Sequence, residues 1–280
     1  MRIQTECLHC LLRQVTDAVL MMGADEETRH KIMMKEIEFL SHYDEYASPP
    51  HIAGPMHRCV REMSGCDDPY YNIKEKDMAT AAENLPIVAE YISSKVDKLY
   101  WSVKASAAGN TLDSAANPGA SFKEGMEAEL DIPFGISDME LLRQKLKTAR
   151  SVLVLADNSG ETYFDTLLLS ALGDIEIIYA VRDCPSINDA TVEIAERSGI
   201  EKYARIISSG STAPGTVLDE ATAEFREIFD TADVVISKGQ GNYEALDDAG
   251  REIFYLFKVK CPVISSHFGV KMGEYVLKLK

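Results

Sequence analysis

The sequence predicts an α/β fold: a three-layer, Rossmann-like and mostly parallel sheet with an N-terminal all-helical domain or cap. Two observations carry this. The first hundred residues place apolar side chains at helical spacing, whereas the later part alternates short β-rich runs with helical segments.

Taken in order, Cys7, Leu8, Leu11, Leu12, Val15, Val19 and Leu20 recur three and four apart, the mark of a helix with one buried face. Ile32, Met33, Ile37 and Leu40 repeat the pattern within 26–43. Pro49-Pro50 then punctuates the chain before a helical stretch through Met56, Val60 and Met63. After Asp67-Asp68-Pro69-Tyr70 a further helical region is expected over 74–104, with Pro86 as a break or a fresh start. Beyond it, strands are expected at 151–156, 175–180, 204–208, 232–237 and 253–257, with Val263-Ile264 as one more candidate. Helices are expected at 162–172, 189–197 and 243–248. Apolar strands alternating with helices indicate a parallel sheet covered on both faces. The organisation read from this is a helical domain or cap over residues 1–104 and an α/β core over 105–280.

Charge narrows the function. Lys plus Arg number 29 against 45 Asp plus Glu, a formal net charge of −16. Such a surface repels phosphate backbones and anionic lipid, which excludes nucleic acid and membrane surfaces as first partners. A small anionic ligand fits only where a metal or a local lysine reverses the field. No apolar run approaches the roughly 20 residues of a membrane helix. The opening Met1-Arg2-Ile3-Gln4-Thr5-Glu6-Cys7 lacks the layout of a signal peptide, so a cytoplasmic location is expected.

In an open parallel sheet, ligands sit beyond the carboxyl ends of the strands, and three polar loops fall there. Asp157-Asn158-Ser159-Gly160-Glu161 follows the first strong strand. Asp and Asn offer hard oxygen ligands for Mg²⁺ or Mn²⁺, and Ser159 and Gly160 offer backbone N–H groups to an anion at a helix start. The same residues also make an N-cap and turn. Arg182 to Asp189 forms the second loop, with Asp189 as a third oxygen ligand or, equally, a helix cap. In the third, Ser237-Lys238-Gly239-Gln240-Gly241-Asn242, a lysine beside two glycines can approach a phosphate closely. Gly109-Asn110-Thr111-Leu112-Asp113 forms a fourth polar patch. There is no Gly-x-Gly-x-x-Gly after a strand, no Walker lysine motif and no Gly-x-Ser-x-Gly elbow. His267 reads as structural.

Cys7-x-x-Cys10 with Arg13-Gln14, Asp68-Pro69-Tyr70 with Lys74, Gly109-Asn110-x-x-Asp113, Asp157-Asn158-x-Gly160-Glu161, Asn188-Asp189 and Lys238-Gly239-x-x-Asn242-Tyr243-Glu244 occur in that order. Together they resemble the damage-control phosphatase family, in its Cys-x-x-Cys-containing branch. The resemblance implies a metal-dependent phosphatase that hydrolyses small phosphorylated metabolites such as sugar phosphates, damaged ones included. It implies a divalent metal (Mn²⁺, Co²⁺, Ni²⁺ or Mg²⁺) held by Asp157, Asn158 and Asp189, and a phosphate contact from Lys238. Asp157, Asn158 and Lys238 are then the catalytic group, with Asn110, Asp113, Ser159, Gly160, Glu161 and Asn242 lining the substrate. The attacking group is a metal-polarised water or Asp157 itself. The rival readings are an S-adenosylmethionine-dependent carboxyl methyltransferase and a non-catalytic phosphometabolite-binding protein. Cys7 and Cys10 with Cys59 and Cys66 make four thiols, the number that a second, structural zinc site takes, although a six-residue spacer between the latter two is unusual for ligands; core packing or a redox pair are the other readings of Cys-x-x-Cys on a helix.

Overall fold

The computed structural model describes residues 1–112 and 122–280. The strong apolar runs become the strands β2 (Ser151–Leu155), β3 (Glu176–Val181), β4 (Arg205–Ser208), β5 (Val234–Lys238) and β6 (Phe254–Lys258). Two shorter strands, β1 (Phe134–Ser137) and β7 (Tyr275–Leu279), complete a sheet of order β1-β7-β6-β5-β2-β3-β4. All neighbours run parallel except β6 and β7. Period two along β2 shows why both faces are covered. Val152 and Val154 enter one buried cluster and Leu153 and Leu155 the other.

The first cluster joins the sheet to α4 (Tyr71–Ser93), α5 (Lys98–Leu112), α6 (Phe122–Asp131), α7 (Met139–Leu146), α8 (Glu161–Ala171) and α9 (Val192–Arg197). The second joins it to α10 (Ala223–Thr231), α11 (Gln240–Leu246) and α12 (Pro262–Phe268). A separate core, built on Leu11, Val15, Ile32, Ile52, Met56 and Val60, holds α1 (Thr5–Met21), α2 (Glu26–Ser41) and α3 (Pro49–Ser64) together as the cap. Pro49 and Pro50 open α3, where a missing N–H costs nothing.

Several boundaries differ from the sequence reading. Residue 104 lies inside α5, and α4 and α5 share the core of the sheet, so core membership changes near Tyr70 and not at 104/105. Pro86 sits within α4; the break comes at 94–97, where Asp97 accepts the Tyr100 N–H and starts α5. Val263-Ile264 belong to α12, because Pro262 stands at the first turn and the Cys261 sulfur accepts the Ile264 N–H.

The cap carries one buried acid. Glu36 on α2 is fully buried, and neither carboxyl oxygen has a hydrogen-bond partner among the described residues. Burial pushes its carboxyl up to about 8, with the Cys59 thiol and Lys35 offsetting this only in part. Above the ordinary value the unfolded chain releases this proton while the folded chain retains it. Stability is therefore lost as pH rises from about 4.5 to about 8. Glu36→Gln should flatten the decline, gaining on the order of 1–3 kcal/mol at about pH 8.5. Thermal unfolding of both proteins across pH checks this; a parallel decline in the variant would contradict it.

Candidate active site

The chain turns from β2 toward β3 and β4 on one side, while β5 and β6 lie on the other. The carboxyl ends of β2 and β5 thus flank a topological switch point, where an open α/β sheet leaves a crevice. Two backbone bonds tie the loops after β2 and β3 together there. Ser159 N–H donates to Asn188 O and Ala190 N–H donates to Asp157 O, each at 2.8 Å. An antiparallel bridge between Asn158 and Asp189 completes the clasp. Asp157, Asn158 and Asp189, far apart in sequence, are brought side by side.

From the third edge, Gly239 follows β5 with φ of +81°, and a Cβ built there would lie 2.2 Å from Asp157 Cγ. Only glycine gives the Asp157 carboxylate its place. Gly109 works similarly on α5, where a Cβ would meet the Glu161 Cα at 3.1 Å. It lets α5 press against the start of α8.

The charges follow from this packing. Asn158 Nδ2 donates to Asp157 Oδ2 at 3.0 Å and to Glu161 Oε1 at 2.9 Å, and its amide oxygen has no hydrogen bond among the described residues. Arg182 Nε donates to Asp189 Oδ2 at 2.6 Å, both side chains buried. Lys238 Nζ donates to Glu161 Oε2 and Asp165 Oδ1, each at 2.6 Å. Asp165 also accepts from Ser106 Oγ and Tyr179 OH. Burial alone would lower the Lys238 ammonium, yet the Asp165 and Glu161 carboxylates hold it above its ordinary value. Asp157 moves the other way: burial, then the charges of Glu161 and Asp189, raise it. Burial raises Asp189 as well, against the pull of Arg182.

Four carboxyl groups, Asp157, Glu161, Asp165 and Asp189, cluster around two buried cations, Lys238 and Arg182, which pair with the last three. This surplus of carboxyl groups borders, at Asp157, Asn158 and Asp189, a cavity of about 460 Å³ between cap and core. Two carboxylates and an orphan amide oxygen form a hard donor set, and a divalent cation matches their charge. No group of three or more His, Cys, Asp or Glu side chains among the described residues stands ready as a metal cage. The fit rests on the mixed carboxylate–amide set.

Other expectations change. The Lys238 ammonium is fully buried and spent on α8, so it does not face the cavity as a phosphate contact. Asn242 is likewise buried and fully bonded: its oxygen accepts the Thr216 N–H and hydroxyl, and its amide donates to Ala156 O and Lys238 O. It pins strand ends instead of meeting a substrate. Ser159 spends its N–H on the neighbouring loop, and its hydroxyl is buried without a partner. Gly160 is buried as the N-cap of α8. Glu161 touches Lys238 and Asn158 as a supporting group. Asn110 lies near the end of α5, and Asp113 lies outside the described residues. The four-thiol zinc site does not form. Cys7 and Cys10 face the cavity from α1, whereas Cys59 contacts Met63 and faces Glu36, and all six cysteines are free.

Three residues escaped the sequence reading. Asp165 left a trace, a carboxylate one turn after Glu161 in an otherwise apolar helix. Arg182 left none, because its role depends on Asp189 folding back onto it. Lys260, just past β6, lines the cavity beside Asp157 and lowers that carboxyl's pKa; its ammonium has no hydrogen bond or ion pair among the described residues. It is an available cation next to the acidic centre.

Fold and site define a capped α/β protein with an acidic cleft at the switch point of its sheet. The chain belongs to the family of the damage-control phosphatase ARMT1-like domain, whose model matches residues 3–276. It is 35% identical over 286 residues to a damage-control phosphatase of Pyrococcus horikoshii, covering 99% of this chain and 97% of that protein. An uncharacterized protein of Methanocaldococcus jannaschii is 33% identical over 288 residues, covering 99% and 95%. A damage-control phosphatase of Archaeoglobus fulgidus is 29% identical over 290 residues, covering 100% and 99%. The crystal structure of a DUF89 family protein from Pyrococcus horikoshii matches with a TM-score of 0.91 at 33% identity, covering 99% of this chain and 98% of that one.

The Gly239 contact is testable. Gly239→Ala forces either an unfavourable left-handed alanine or a displaced Asp157, and should cost roughly 1–3 kcal/mol. Denaturant unfolding measures it; an unchanged midpoint would show that Asp157 swings away freely.

Proposed function

We propose that this protein is a divalent-metal-dependent phosphatase that hydrolyses small phosphorylated metabolites, sugar phosphates and related esters, damaged ones included. One observation carries the reading: two carboxyl groups and an amide, from Asp157, Asp189 and Asn158, are clasped side by side on the wall of a cavity that Lys260 also lines. A bound divalent cation there supplies charge for phosphoryl oxygens and acidifies a water. Asp157 and Asp189 hold that cation, with the Asn158 oxygen as the neutral third ligand.

The other roles belong to the chain itself. Lys260 offers its ammonium to a phosphoryl oxygen and stabilises charge that grows as the ester bond breaks. Lys238 fixes Glu161 and Asp165 in place, and Glu161 in turn holds the Asn158 amide nitrogen. Arg182 orients Asp189. The cap closes over the centre and limits the water around it. The carboxyl methyltransferase alternative finds less support, because the turn after β2 carries two oxygen ligands where a nucleotide-binding turn would need glycines. A binding protein without turnover is separated by experiment.

Phosphate release from p-nitrophenyl phosphate should require Mn²⁺, Co²⁺, Ni²⁺ or Mg²⁺ and stop on chelation. Asp157→Ala should lower it at least about 100-fold. Full activity in that variant, or in chelator, would contradict the proposal.

The two lysines should separate. Lys260→Ala is expected to lower kcat/KM about 100-fold with little change in Tm. Lys238→Met leaves two buried carboxylates unpaired and should cost roughly 3–5 kcal/mol of stability. A stable Lys238→Met with normal unfolding would refute the division of labour.

A further inference from the structure

The cap side of the cavity holds a donor set that the acidic centre does not use. Cys10, Arg13 and Gln14 lie on the α1 face that lines the same cavity as Asp157 and Asp189. Arg13 is exposed and makes no ion pair among the described residues, although acidic residues outnumber basic ones across the chain. Among the described residues, the one hydrogen bond of its guanidinium is from Nη2 to the Cys10 sulfur at 4.0 Å. Gln14 Nε2 donates to the same sulfur at 3.8 Å. A thiol is a weak acceptor, and these contacts are long. Two strong donors are thus directed at a poor partner, facing into a ligand-sized space.

The donors are also held in place. Tyr70 OH donates to the Gln14 main-chain oxygen at 2.9 Å, and His57 Nε2 lies 3.3 Å from Gln14 Oε1. Burial pushes the His57 imidazole down to about 4, so it is neutral and presents a single N–H. With its oxygen engaged by His57, Gln14 turns its amide nitrogen to the Cys10 sulfur, and both residues line the cavity. Tyr70 is itself fixed at the start of α4, where its N–H donates to Asp68 Oδ1 and Asp68 pairs with the buried Lys74. The Asp68-Pro69-Tyr70 and Lys74 motif therefore anchors the donor face of α1, although it lies outside the acidic centre.

We propose that Arg13, supported by Gln14, binds a second oxyanion on the substrate, a carboxylate or phosphate remote from the scissile ester, so that the preferred substrates are doubly anionic. A planar guanidinium suits such a group because it grips two oxygens at once. This rests on the phosphatase reading above and extends it to the far end of the substrate.

The experiment uses pairs matched in skeleton: 3-phosphoglycerate against glycerol 3-phosphate for a carboxylate, and fructose 1,6-bisphosphate against fructose 6-phosphate for a phosphate. Turnover and calorimetric binding are both measured on the metal-loaded protein. The wild type should favour the doubly anionic member of at least one pair by about 10-fold or more in kcat/KM, chiefly through KM. Arg13→Gln should abolish that preference, and Arg13→Lys should restore part of it. The pair that shows the preference identifies the oxyanion. Equal loss on both members, or no loss, would overturn the subsite. Selective binding that depends on Arg13, without turnover, would support the subsite and overturn the phosphatase reading. Turnover without selectivity would do the reverse, and neither binding nor turnover would overturn both.

Discussion

Lys238 sits between Glu161 and Asp165 at 2.6 Å from each, and the cleft is organised around that buried pairing. A charge so deep is tolerated only when paired and hydrogen-bonded, so it commits two turns of α8 to the end of β5. Glu161 then fixes Asn158, and Asp165 is held from the other side by Ser106 and Tyr179. Arg182 performs the matching task for Asp189. What the two cations leave over is negative charge at Asp157, in a place where burial and its acidic neighbours already oppose ionisation. By itself such an arrangement contributes nothing to stability.

Geometry enforces the same outcome. The clasp between the loops after β2 and β3 is made by backbone groups, and it sets Asp157, Asn158 and Asp189 together along the cavity wall. Gly239 closes the third side by presenting no side chain at all. The cap contributes a wall from a separate core, so that α1 faces the loops after β2 and β3 across the cavity.

Much of this was legible in the sequence. Five strands announced themselves as apolar runs, and their alternation with helices gave the parallel sheet. The polar loops at their ends gave Asp157, Asn158 and Asp189 as a group. The short strands β1 and β7 were not readable, because four or five residues at a sheet margin carry little periodicity. Lys238 and Asn242 were correctly marked as special and wrongly aimed: sequence shows a lysine beside glycines but not that two carboxylates from α8 reach it first. Lys260 was missed for the converse reason, since its significance lies in having no partner. The Cys-x-x-Cys motif suggested metal by residue type alone, while the fold puts Cys59 on the other side of the cap core, against α2.

The central claim, that the surplus charge at Asp157 and Asp189 is completed by one divalent cation, is tested most directly by Mn²⁺ titration calorimetry on the metal-free protein, paired with thermal unfolding. One site per chain is expected, with Mn²⁺ at about 100 times Kd adding about 2.7 kcal/mol of stability. Asp189→Asn, which removes one of the negative charges while preserving shape, should weaken that binding at least about 10-fold. Binding of equal strength in the variant, or no cation-dependent rise in Tm in the wild type, would contradict the account.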